Sequence, residues 1–176
     1  YDASDNVIGM RYGGADYYYE KNILGDVVYI VDDAGNRVVE YYYDAWGKVL
    51  SVKGSAASTI GTLNPFRYRS YYYDVETGWY YLNSRYYDPA VGRFLNADDP
   101  TMALLGQSSL LGTNLFAYCQ NNPVKNIDPI GWFSIPSWFI SGPIDGIILW
   151  LASTFQITWL GYMAPLKYMA KRTAAS

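Results

Sequence analysis

The side chains able to do chemistry in this 176-residue chain are almost all carboxylates: sixteen Asp and Glu stand beside a single cysteine, Cys119, and no histidine. Without histidine there is no Ser-His-Asp or Cys-His catalysis and no His-ligated zinc. One cysteine closes no internal disulfide and builds no multi-thiolate metal site. Nothing near Cys119 in sequence would lower its pKa, so it reads as a small apolar core residue. The acidic groups Asp32-Asp33, Asp74-x-Glu76 and Asp2-x-x-Asp5 lack the ordered oxygen ligands of a calcium loop and read as solvated turns. Gly13-Gly14 opens no phosphate-cradling loop. No metal and no cofactor are expected. What carboxyl groups can do is work in pairs. One ionised member activates water while a protonated partner polarises a carbonyl, as in aspartyl proteases.

The elements that would position such a pair are strands and turns. The chain is 51% hydrophobic, 18% aromatic and only 16% charged, with twenty Tyr against six Phe, sixteen Gly and eight Pro. That apolar load with a net charge of −3 excludes disorder. Thirteen Lys and Arg against sixteen acids leave no positive excess for phosphates, so no nucleic-acid partner is expected. Residues 26–31 and 38–43 are β-branched and aromatic, and each run ends in turn residues, Asp32-Asp33-Ala34-Gly35-Asn36 and Asp44-Ala45-Trp46-Gly47. Asp74-Val75-Glu76-Thr77-Gly78 is echoed by Asp88-Pro89-Ala90-Val91-Gly92, each followed by an aromatic run. Such short internal repeats predict stacked antiparallel hairpins. The tyrosine runs read as packed rings whose hydroxyls reach polar groups, with sugar or ligand stacking as the alternative. Residues 53–64 read as a loop or flexible joint, 101–112 permit a short helix, and 114–123 form a strand or short helix running into a turn.

Composition changes near residue 132. Residues 1–132 carry fifteen acids and ten bases; residues 133–176 carry Asp145 against Lys167, Lys171 and Arg172. Residues 146–166 hold no formal charge over 21 positions, long enough to span a bilayer. The same stretch would serve as a buried core helix or an interfacial helix, and a membrane contact through it stays open. Residues 1–20 are polar and tyrosine-rich with no signal peptide, and read as the start of a piece of a longer repetitive protein.

Tyr43-Asp44-Ala45-Trp46-Gly47-Lys48 resembles the YD or RHS repeats of bacterial surface and secreted proteins. The segment FRYRSYYYDVETGWYYLNSRYYDPAVGRFLNADDP is similar to the RHS-repeat-associated core of bacterial polymorphic toxins, and LFAYCQNNPVKNIDPIGW to its end. The resemblance implies a mainly β fold: YD/RHS-type repeats over 1–52, the associated core over 53–132, and a variable C-terminal segment over 133–176, whose apolar residues read as helical. It implies the closing end of a secreted or cell-surface shell that encloses a C-terminal effector. Its partners would be the upstream repeats of the same polypeptide, an immunity protein and a secretion apparatus.

Several members of that family cut themselves just after the DPxG motif with two aspartates. Carried over, the pair matches Asp99 and Asp128, with Arg93 as the arginine near the site and the cut between Trp132 and Phe133. Asp98 adjoins the first candidate. Self-cleaving members usually carry Leu where this chain has Trp132, and a pocket shaped for Leu would slow or refuse an indole. Cleavage of this kind happens once per chain. The other reading of Asp99-Pro100 and Asp128-Pro129 is two plain turns, because Asp-Pro favours turn initiation. Two further readings stay open: a structural cell-wall or surface repeat protein without cleavage, and a membrane-inserting effector whose activity is the tail.

Overall fold

The computed structural model describes residues 1–2, 6–98, 114–132 and 134–137. The chain divides into two compact units, Tyr1–Trp138 and Phe139–Ser176, and all the described residues lie in the first. Asp99, Phe133, the expected helix over 101–112 and the apolar stretch 146–166 lie outside the described residues. Among the described residues no helix is long and apolar enough to cross a membrane.

The predicted hairpins are present. Five strands follow one another in a meander: β1 (Gly9–Tyr12), β2 (Ala15–Lys21), β3 (Val27–Asp32), β4 (Arg37–Tyr43) and β5 (Val49–Lys53). A second antiparallel sheet holds β6 (Tyr72–Asp74), β7 (Trp79–Tyr81), β8 (Tyr86–Asp88) and β9 (Arg93–Phe94). A two-stranded ribbon, β10 (Asn126–Ile127) and β11 (Ile135–Pro136), completes the described fold. The expected boundary between residues 52 and 53 runs through β5.

One turn is used repeatedly. The Asp32 carboxylate accepts the N–H groups of Ala34 and Asn36, and the Gly35 N–H donates back to the Asp32 carbonyl. Asp44 does the same with Trp46, Lys48 and Gly47, and Asn22 with Leu24, Asp26 and Gly25. A short acceptor side chain satisfies two donors that the reversal would strand, and glycine supplies the positive φ. The Asp74–Gly78 and Asp88–Gly92 turns close with the corresponding glycine N–H to Asp carbonyl bond, 2.8 Å in both.

The surplus of Tyr over Phe has a structural cause. Tyr68, Tyr80 and Tyr87, buried on the second sheet and its approach, donate their hydroxyls to the carbonyls of Ala45, Gly47 and Trp46. Three consecutive carbonyls of the Asp44 turn are thereby satisfied, that of Gly47 in the buried interior. Phenylalanine would fill the same volume and strand those acceptors. The rings join Tyr71, Leu82, Phe94, Tyr118 and Cys119 in one core. A second core lies under the five-stranded sheet, formed by Val27, Ile30, Val39, Tyr41 and Ile60.

The 53–64 joint is more ordered than its composition suggests. It contains a helical turn, α1 (Ile60–Leu63), with Ile60 driven into the second core. The buried Arg67 guanidinium donates to the carbonyls of Gly61, Thr62 and Asn64. A cation four residues beyond the turn therefore satisfies the acceptors that its C-terminal end leaves open.

Gly47 is the least replaceable residue of the Asp44 turn. Its φ is +89°, and an added Cβ would sit 2.5 Å from the Tyr68 ring. Gly47→Ala is expected to cost about 2–4 kcal/mol in urea unfolding, from left-handed strain and overpacking together. Gly35, with φ +81° and nothing within 4 Å of an added Cβ, should lose only about 1 kcal/mol on the same change.

Candidate functional site

The loop after β10 carries the DPIG sequence, and the second sheet grips it by its carbonyls. Tyr71 donates its hydroxyl to the Asp128 carbonyl at 2.7 Å, and Ser84 Oγ donates to Ile130 at 2.8 Å. Arg85 Nε donates to the Gly131 carbonyl. Gly131 has φ +77°, and an added Cβ would meet Ser84 Oγ at 2.6 Å and the Leu82 carbonyl at 2.8 Å. Only glycine fits that approach.

Inside this loop the Asp128 side chain turns away from water and is 2% exposed. Its Oδ1 accepts the Gly131 N–H at 2.7 Å and the Trp132 N–H at 3.2 Å. The Asp32 and Asp44 turns make comparable bonds at the surface; Asp128 makes them in the core. Burial pushes its carboxyl up to about 7, with Asp98 adding in the same direction, while Arg85 and the Gly131 N–H pull it back. This group keeps or loses its proton near neutrality, a condition that favours acid–base work.

Arg85 joins the parts. One Nη2 atom lies 3.0 Å from an Asp98 Oδ2 and 3.7 Å from an Asp128 Oδ2, so the two carboxyl groups flank a single guanidinium. Arg85 Nη1 donates to the Leu115 carbonyl at 3.0 Å, and the guanidinium lies 3.7 Å from the Phe94 ring centroid. The side chain is 7% exposed. A buried cation held on this many sides has no freedom to leave its carboxylates.

Of the residues singled out in the sequence, Asp128 and Trp132 lie together in the loop. Arg93 donates to Asn121 Oδ1 and to the Gly92 carbonyl, tying β9 to the turn at 119–121. The arginine that reaches Asp128 is Arg85, eight positions earlier. A signal for it exists in the sequence. Strand alternation from the buried Tyr87 through the exposed Tyr86 puts Arg85 on the inward face. An inward cation in an aromatic run calls for a buried anion. The acid beside Arg85 is Asp98, the neighbour of Asp99. Trp132 is 37% exposed.

Cys119 is buried against this network as expected, its thiol pushed up to about 12 by burial first and the nearby Asp128 second. It stays a thiol at neutral pH and fills space.

Comparison with known proteins agrees with this architecture. The profile of the Teneurin YD-shell family matches residues 1–124. The tRNA3(Ser)-specific nuclease WapA of Bacillus spizizenii is 40% identical over 142 residues, covering 79% of this chain and 6% of the relative. The double-stranded DNA deaminase toxin A of Burkholderia cenocepacia is 32% identical over 130 residues, covering 72% of this chain and 8% of that protein. Toxin protein Tse5 of Pseudomonas aeruginosa is 30% identical over 114 residues, covering 65% and 8%. The chain thus spans less than a tenth of the length of these relatives. Among solved structures, the Photorhabdus luminescens Tc holotoxin pore matches with a TM-score of 0.57 and 27% identity, over 69% of this chain and 5% of the other. The TcdB2-TccC3-Cdc42 crystal structure matches with a TM-score of 0.56 and 28% identity, over the same shares. Repeated Asp-turn hairpins, the tyrosine-rich core and these matches agree: the chain is a YD/RHS-repeat protein with the RHS-shell fold and belongs to the Teneurin YD-shell family.

Proposed function

We propose that this chain is the closing section of the shell of a secreted bacterial polymorphic toxin, enclosing a C-terminal effector and cutting itself once after Trp132. The observation that carries the cleavage is the buried Asp128 carboxyl, which shares Arg85 with Asp98 and accepts the N–H of Trp132. The toxin reading is supported by relatives whose names give different activities, a tRNA nuclease and a DNA deaminase, and which share this stretch. A segment common to unlike activities serves delivery or storage rather than the attack on the target.

In the reaction, Asp98 accepts a proton from a water whose oxygen adds to the Trp132 carbonyl carbon. Asp128 gives its proton to the carbonyl oxygen. The tetrahedral diol collapses, returning a hydroxyl proton to Asp128, the Trp132–Phe133 C–N bond breaks, and Asp98 passes the proton it took from water to the departing nitrogen. One water is consumed, leaving a carboxyl group on Trp132 and an amine on Phe133. Arg85 is a positioning residue: it holds both acids and the Gly131 carbonyl in one frame. Asp99, the first acid suggested by the resemblance, is assigned no step.

Intact mass of the freshly purified full chain tests the proposal. The expected result is two pieces, residues 1–132 and 133–176. A single uncut mass after prolonged incubation at pH 6 would sink it. Asp99→Asn is expected to leave cutting within about threefold of the parent chain, because the paired acid is Asp98.

A further inference from the structure

The bond assigned to the cut lies inside a hairpin. β10 (Asn126–Ile127) comes before it and β11 (Ile135–Pro136) after it, antiparallel, with Ile127 opposite Ile135 and Asn126 opposite Pro136. Ile135 is 1% exposed, deeper than its partner Ile127 at 7%. The Ser137 N–H donates to the Lys125 carbonyl at 2.7 Å, and Ser134 lies against the buried Cys119 thiol. Pro136 has no N–H to lose, which suits a strand at the edge of a two-stranded ribbon.

The upstream side of the cut has its own anchors. Tyr71, Ser84 and Arg85 hold the carbonyls of Asp128, Ile130 and Gly131. Hydrolysis between residues 132 and 133 removes one covalent bond and none of these contacts. The new carboxylate forms on Trp132, which lies outside the paired residues of the ribbon and is 37% exposed.

We propose that the cut does not free the downstream piece. Residues 134–137 stay bound to residues 125–127 as the second strand of the ribbon, with Ile135 as the plug, and release is a separate step that requires this latch to open. A lone two-stranded ribbon is weak in water. This one is held because Ile135 sits in the interior, where its withdrawal would empty a filled site. The biological role of the latch rests on the self-cleavage reading; its existence does not.

The test separates the two. A site-specific protease sequence is inserted between Trp132 and Phe133 of the full chain carrying Asp128→Asn, so the cut is supplied from outside. Asparagine keeps the oxygen that accepts from Gly131 and Trp132. Hydrogen exchange is then read at the Ile135 and Ser137 amides before and after proteolysis. Both are expected to exchange within about threefold of the intact chain, and Ile135→Asp in the cut protein to exchange at least about tenfold faster at Ser137 with the Val39 amide of β4 unchanged. Ile135→Ala serves if the aspartate also loosens β4. Exchange at Ser137 rising to the unstructured rate on cutting alone would overturn the latch, as would Ile135 variants that leave it protected. An uncut mass for the unsubstituted chain would reject self-cleavage and leave the exchange result standing.

Discussion

Asp128→Asn is expected to leave the chain in one piece, with self-cutting slowed by about 10²–10⁴-fold, the usual worth of a positioned general acid. The amide keeps the turn, because its oxygen still accepts the N–H groups of Gly131 and Trp132. Arg85 keeps Asp98 as its counter-ion, so no buried cation is stranded. What disappears is the proton that Asp128 would deliver. Asp98→Asn should give a comparable loss by removing the base, and the two losses should not add, since the pair acts as a unit. The pH profile follows from the same group. With its carboxyl raised to about 7 by burial, Asp128 is protonated at pH 6 and largely ionised at pH 8. The cutting rate should therefore fall about tenfold per pH unit above 7 and be flat just below it. Stability moves in the same direction. A carboxyl that titrates higher in the folded chain than its unfolded value of about 3.9 contributes fully below that value, and the contribution is lost as pH rises through 7. The loss amounts to about 4 kcal/mol at most, and Asp128→Asn should abolish it in denaturant titrations at pH 5 and pH 8. Equal stabilities at the two pH values in the parent chain would contradict the buried placement.

The largest stability loss is expected at Tyr80. Its ring is fully buried, lies 5.0 Å from the centroid of Tyr73 and about 6 Å from those of Tyr68, Tyr71 and Tyr87, and its hydroxyl holds the Gly47 carbonyl at 2.9 Å. Tyr80→Ala removes the centre of the larger core and should cost about 3–5 kcal/mol in urea unfolding. Tyr80→Phe keeps the ring and strands one buried acceptor, for about 1–3 kcal/mol. The ordering of the two variants is the sharper test. If phenylalanine costs nothing, the hydroxyl does not hold the two sheets together.

The legible parts of the fold were local. A short acceptor side chain followed by glycine fixes a turn within five residues, so the Asp32, Asp44, Asp74 and Asp88 reversals, and the strands between them, could be read directly. The helical turn inside the 53–64 joint was not legible, because Ile60 gains its core and Arg67 its carbonyls only in the tertiary structure. The site shows the same division. Asp128 and Trp132 are neighbours in one turn and were found together. Arg85 meets Asp128 across 43 positions and Asp98 across 13, pairings that only the tertiary structure supplies. Arg93 drew attention by its place in a motif, yet its partner is Asn121.

The three hydroxyls that hold the carbonyls of Ala45, Trp46 and Gly47 recognise main chain, which every amino acid supplies alike. A joint of this kind tolerates mutational drift in whatever hairpin precedes it, provided the bend keeps its shape. Side-chain fit matters there at Tyr43 and Trp46, which pack against the same core; the grip on main chain leaves the rest of the hairpin freer to vary.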